Sequence, residues 1–107
     1  MRGVYLIHFS EAYEHAGHYI GYADDIQRRI VIHRKGNGPT LTRVAVTAGR
    51  ELIVAQVWQG RFRRYERKLK NLKGANRFCR ICNPTYSGKY RGERFEENYE
   101  TDSERDF

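Results

Sequence analysis

The chain has 107 residues, 39% hydrophobic and 31% charged, with a net charge of +7. That length makes one domain with a single modest core, and no stretch approaches the roughly 20 apolar residues of a membrane-spanning helix. The charge is uneven: residues 1–85 hold 16 Lys/Arg against 6 Asp/Glu, a balance of +10, while residues 86–107 hold 4 against 7, a balance of −3.

Residues 2–9 read as a strand. Alternation puts Val4, Leu6 and His8 on one face and Tyr5, Ile7 and Phe9 on the other, so both faces are expected to be buried. Residues 10–17 are polar and interrupted and read as a long hairpin loop, and residues 18–22 as the second strand. Asp24 or Asp25 then offers an N-cap for a helix over about Asp25 to Arg34, which Lys35-Gly36-Asn37-Gly38-Pro39 stops. A weaker helical pattern covers 39–48, and residues 51–58 read as a third strand. Residues 61–73 carry the clearest helical stripe, Phe62, Tyr65, Leu69 and Leu72. From residue 86 the chain turns acidic with scattered aromatics (Tyr86, Tyr90, Phe95, Tyr99, Phe107) and is expected to be an extended or partly disordered tail. Domain 1–85 and tail 86–107 are the expected division. No signal-peptide pattern opens the chain, and the expected compartment is the cytosol.

Three features carry chemistry. In the first helix, Ile26 and Ile30 mark the inward face, and Arg29 and His33, four residues apart, fall on its edge, whereas Arg28 points away. A guanidinium and an imidazole beside a strand rich in tyrosine suit a phosphate, although a solvated arginine and a satisfied core histidine fit the same spacing. In the later helix Glu66 lies inside the apolar stripe and is the only acid between Leu52 and Gly92. A carboxylate there must be ion-paired, protonated or metal-bound. The third feature is Cys79-x-x-Cys82. Structural zinc needs four ligands, and the other two would have to come from His8, His15, His18 or His33, which show no recognisable spacing. A redox pair would sit at a helix start after a strand, which this one does not. Two ordinary small core residues are therefore the favoured reading.

A compact body of such positive charge repels itself unless a polyanion binds it, and nucleic acid is the commonest such partner. The order of motifs is more specific. Gly3-Val4-Tyr5, Tyr19-Ile20-Gly21, Arg29 ten residues after Tyr19, His33 four later, Glu66 on a later helix and Asn83 beyond it resemble the GIY-YIG nuclease superfamily over roughly residues 2–84. That superfamily includes homing endonucleases, excision-repair and junction nucleases and some restriction enzymes. The resemblance implies an α+β fold, a small three-stranded antiparallel sheet flanked by helices, and metal-dependent phosphodiester hydrolysis in DNA, branched or nicked DNA included. Carried over by position, Tyr5 and Tyr19 match the motif tyrosines, Arg29 the essential arginine, His33 the helix histidine, Glu66 the ligand of Mg²⁺ (or Mn²⁺) and Asn83 the asparagine that fixes site geometry. Tyr5 is expected to be the base or its relay, with a pKa lowered by Arg29, the metal or His33. Val4 in place of isoleucine, a long Tyr5–Tyr19 interval and the absence of a second recognition domain are the departures. The last points to weakly specific binding through phosphates. Two other readings stand beside the endonuclease: a nucleic-acid-binding accessory module without catalysis, in repair or recombination, and a small zinc-linked interaction protein.

Overall fold

The computed structural model describes residues 1–97 of the chain. Three antiparallel strands, β1 (Gly3–Tyr13), β2 (Ala16–Ala23) and β3 (Leu52–Gln59), form one sheet in the order β2-β1-β3. β1 is therefore central. Between β2 and β3 come α1 (Ile26–Arg34) and α2 (Thr40–Thr47); after β3 come α3 (Arg63–Leu72) and the single turn α4 (Ala75–Phe78).

The alternation along β1 decides what each face meets. Tyr5, Ile7 and Phe9 pack with Ile26 and Ile30 of α1 and Ala45 of α2. Val4 and Leu6 pack with Ile20, Trp58, Leu69 of α3 and Phe78 of α4. Helices thus cover both faces, which is why the central strand reads as a nearly continuous apolar run. The register of β1 with β3 shifts between Leu6 and Ile7, where Ala55 is the extra residue. Gln56 is consequently turned toward α4. Its amide donates to the Phe78 carbonyl and its Oε1 accepts from Gly92 N at 2.7 Å.

Several boundaries differ from expectation. The polar stretch 10–17 is not a long loop: β1 runs to Tyr13, β2 starts at Ala16, and Glu14, with φ of 55°, makes the tight turn between them. Polar residues belong in that stretch because the hairpin tip leaves the core, not because the strands end. Asp25 is the cap of α1, accepting from Arg28 N at 3.3 Å. The stripe on α3 is narrower than its pattern. Phe62 is 58% exposed and lies under the Arg2 guanidinium, Leu72 is exposed as well, and the inward positions are Glu66 and Leu69. α4 was not expected, because four residues are too few to carry a periodic signal.

The body does not end at residue 85. Phe95 is buried in the α1 side of the core, Tyr90 O accepts from Trp58 Nε1 at 2.9 Å, Val57 and Glu93 exchange both backbone bonds, and Glu97 pairs with Arg34 at 2.6 Å. Its scattered aromatics are anchors spaced along an irregular strap, a pattern that periodicity does not register. The remainder of the acidic stretch, 98–107 with Tyr99 and Phe107, lies outside the described residues.

Candidate active site

β1 and β2 are in register with Tyr5 opposite Gly21 and Ile7 opposite Tyr19. The Tyr5 ring crosses over Gly21. A methyl group there would collide with the Tyr5 hydroxyl and the Tyr19 ring, so the position requires glycine. The phenols lie side by side, ring centroids 6.3 Å apart, and the His33 imidazole from α1 stands edge-on to both.

His33 is fully buried and bonded at both nitrogens: Nε2 to the Tyr5 hydroxyl at 2.7 Å and Nδ1 to Thr42 Oγ1 of α2 at 2.7 Å. Thr42 has one hydroxyl hydrogen, and its Oγ1 stands within hydrogen-bond distance of both His33 Nδ1 and the Pro39 carbonyl, the latter at 3.2 Å. With that hydrogen on the Pro39 carbonyl, Oγ1 accepts from His33 Nδ1–H. In that arrangement the neutral imidazole carries its lone pair on Nε2, and Tyr5 donates to it. Gly38 lets the chain pass against this imidazole, since a Cβ would fall 2.6 Å from Nδ1.

The electrostatics agree with that assignment. Burial, reinforced by the Arg29 charge, lowers the His33 pKa to about 4. Burial raises that of Tyr5; the neighbouring Tyr19 and Glu66 raise it further, against the lowering effect of Arg29. Tyr19 is raised too, by burial first, although Lys70 opposes it. The expected lowering of Tyr5 is thus not what the protein alone produces: desolvation outweighs one exposed guanidinium.

Arg29 is exposed at the edge of this group and Arg28 lies on the other side of α1, beside Val31 and Lys35, as the facing argument required. α3 passes along β2 and brings in Glu66, which is 7% exposed. Its Oε2 pairs with Lys70 Nζ at 2.9 Å and its Oε1 has the Arg63 guanidinium at 4.0 Å. The Lys70 ammonium also lies 5.7 Å from the Tyr19 ring. An open groove of about 680 Å³ runs beside Tyr19, lined by Leu41, Lys70, Lys73 and Asn76 among others. Asn83 stands apart from the phenol–imidazole group: its amide donates to the Arg77 carbonyl at 3.2 Å and its backbone N–H to Cys79 O at 2.8 Å. It fixes the turn after α4.

Two participants escaped the sequence. Thr42 had no signal beyond the helical spacing of an ordinary hydroxyl. Lys70 was visible as the i+4 partner of Glu66 but was one of many cations there. On the other side of the sheet, His8, His18, Cys79 and Cys82 bring their ligand atoms within 4.8 Å of one another. The reading of the cysteines as two small core residues holds for Cys79 alone, since Cys82 is exposed.

A family model for the GIY-YIG catalytic domain matches residues 1–79. The chain belongs to the GIY-YIG family. No match was found among curated proteins or among solved structures. The three-stranded antiparallel sheet with flanking helices is the fold expected of the family. Membership implies a nuclease that acts on DNA, and GIY-YIG nucleases are generally divalent-metal dependent. Among the described residues Glu66 is the one buried carboxylate. A carboxylate paired with Lys70 on Oε2 and with the Arg63 guanidinium 4.0 Å from Oε1 is a hard oxygen donor, of the kind that fits a divalent ion that keeps most of its water. No helix among the described residues is long and apolar enough to cross a membrane.

Proposed function

We propose that this GIY-YIG protein is a Mg²⁺-dependent endonuclease that hydrolyses phosphodiester bonds in DNA with weak sequence specificity. The observation that carries the reading is the chain Tyr5–His33–Thr42, in which a buried imidazole stands 2.7 Å from a phenol on one nitrogen and 2.7 Å from a hydroxyl on the other; with the Thr42 hydrogen on the Pro39 carbonyl, the phenol donates to Nε2.

The base is Tyr5 and His33 acting together. A water poised on the scissile phosphorus gives its proton to Tyr5 Oη as Tyr5 passes its own to His33 Nε2. No free phenolate has to exist, which matters because burial disfavours one. His33 keeps its Nδ1 hydrogen on Thr42 throughout, so the proton arrives at one defined nitrogen. The imidazolium so formed is disfavoured beside Arg29 until the phosphate charge is present, which couples proton transfer to substrate binding. Arg29 donates its fork of N–H groups to the non-bridging oxygens. Tyr19, beside both rings, orients the water. Glu66 holds the metal, which when bound there supplies Lewis-acid stabilisation of the phosphate and the leaving oxygen. Lys70, paired with Glu66, would give up that carboxylate to the ion and would then be free for the DNA backbone.

Substrate approach uses the exposed cations Arg63, Arg64 and Lys68 of α3 and Arg61 just before it, which line an open cavity of about 740 Å³ with Phe62 and Tyr22. Such contacts position phosphates without reading bases, so affinity falls steeply with salt.

The test is a nicking assay on supercoiled plasmid and on a branched duplex at low salt, with Mg²⁺, Mn²⁺ or chelator. Cleavage by the wild type that disappears in Glu66→Ala and Arg29→Ala is the expected result. Binding without cleavage under every metal would leave a DNA-binding accessory module instead.

A further inference from the structure

On the face of the sheet turned away from Tyr5 and Tyr19, three chain segments meet at a second cluster. His8 of β1 and His18 of β2 are directly opposed in the antiparallel register. Cys79 follows α4, and Cys82 comes three residues later. We propose that His8, His18, Cys79 and Cys82 form a tetrahedral zinc site, separate from the metal held by Glu66 and independent of the proposed nuclease activity.

The distances carry the argument. Zinc bonds of about 2.0–2.1 Å to imidazole nitrogen and about 2.3 Å to thiolate give tetrahedral edges of about 3.3–3.4 Å between nitrogens and about 3.5–3.6 Å between nitrogen and sulfur. Here His8 Nδ1 and His18 Nε2 are 3.3 Å apart. His8 Nδ1 lies 3.5 Å from Cys79 Sγ and 3.6 Å from Cys82 Sγ, and His18 Nε2 lies 3.4 Å from Cys82 Sγ. Four of the six edges thus match those of a coordination tetrahedron, and all four donor atoms lie within 4.8 Å of one another.

Hydrogen bonding does not account for this arrangement. His8 Nδ1 has three neighbours within 3.6 Å. A ring nitrogen offers one hydrogen or one lone pair, so at most one of them is served. A cation at the centre serves all of the donors at once. The Cys82 backbone N–H points at Cys79 Sγ at 3.5 Å, the contact a thiolate attracts. Two sulfurs and two imidazole nitrogens with no carboxylate select zinc over Mg²⁺. On binding, both thiols become thiolates and their protons go to solvent.

The site joins the β1–β2 hairpin to a segment 71 residues away from His8 in sequence. His18 immediately precedes Tyr19, so the metal would pin the strand that carries the second motif tyrosine from behind. The family match ends at Cys79, and Cys82 lies beyond it.

The experiment uses the full chain, purified reduced and without chelator. Elemental analysis should find one zinc per chain, and the exposed Cys82 thiol should resist a disulfide reagent until 1,10-phenanthroline is added. Cobalt substitution should give the intense visible bands of a tetrahedral site together with thiolate-to-metal charge transfer. Cys82 is exposed, so Cys82→Ser should keep the circular dichroism of the fold and lose the cobalt spectrum. A folded wild type without bound zinc and without a cobalt spectrum would overturn the proposal. So would a Cys82→Ser protein with an unchanged cobalt spectrum.

Discussion

Tyr5 Oη stands 2.7 Å from Nε2 of His33, and Nδ1 of the same ring stands 2.7 Å from Thr42 Oγ1; with the Thr42 hydrogen on the Pro39 carbonyl, Tyr5 donates to Nε2. A residue with no role in the reaction therefore decides which end of the imidazole can accept a proton. Thr42→Val keeps the shape and removes the acceptor. The abandoned Nδ1–H would cost about 1–3 kcal/mol and favour the tautomer that blocks the relay. Single-turnover cleavage should fall by about 10²-fold with DNA affinity unchanged, and Thr42→Ser should recover most of it.

The buried imidazole makes a pH prediction. The folded pKa of His33 is about 4, below its ordinary value of 6.5. Between those values the unfolded chain binds more protons than the folded one, so this residue's contribution to stability is complete above about 6.5 and is lost as pH falls toward 4. Nitrogen-15 chemical shifts should show His33 neutral at pH 6, protonated on Nδ1, and titrating near 4. A titration at or above the ordinary value would contradict the assignment.

Gly21 carries no side chain because Tyr5 occupies its space. Gly21→Ala should displace both phenols from His33. Expected are a loss of about 1–3 kcal/mol in urea unfolding, as for other overpacked sites, and a larger relative loss in cleavage than in DNA binding.

If Glu66 holds the metal as proposed, Lys70 competes with it, since its ammonium sits 2.9 Å from Oε2. In Lys70→Met that competitor is gone. The Mg²⁺ concentration giving half-maximal cleavage should decrease, while DNA affinity weakens and its salt dependence becomes shallower. Titrating Mg²⁺ at saturating DNA separates the two effects.

The strap 86–97 is expected to be structural. Phe95→Ala should cost about 3 kcal/mol, as for other buried phenylalanines, measured by urea unfolding. Truncation after residue 85 removes Phe95 together with the cover over Gln56 and Trp58, and should lower the thermal midpoint further.

Much of this was legible in the sequence because the informative signals are local. The β-branched run and capping aspartate place β2 and α1, and i,i+4 spacing alone puts Arg29 rather than Arg28 beside His33. Glu66 stood out as a lone acid among cations. What escaped depends on register. His8 and His18 become partners only if the hairpin turns at Glu14, and reading 10–17 as a loop removed the pairing that makes Cys79 and Cys82 intelligible. Thr42 reaches His33 through the angle between two helices, which no spacing encodes. Phe95 and Tyr90 hold an irregular strap that has no period to detect. The raised pKa of Tyr5 is a consequence of burial beneath α1, and motif chemistry alone pointed the other way.

The most direct measurement is the single-turnover rate of Tyr5→Phe on supercoiled plasmid with Mg²⁺, alongside its DNA affinity. If the proton leaves water through Tyr5 to His33, removing one hydroxyl should slow cleavage by about 10²–10⁴-fold and leave binding unchanged. Cleavage by Tyr5→Phe at the wild-type rate would mean that the water is deprotonated elsewhere, and the relay would not be the catalytic base.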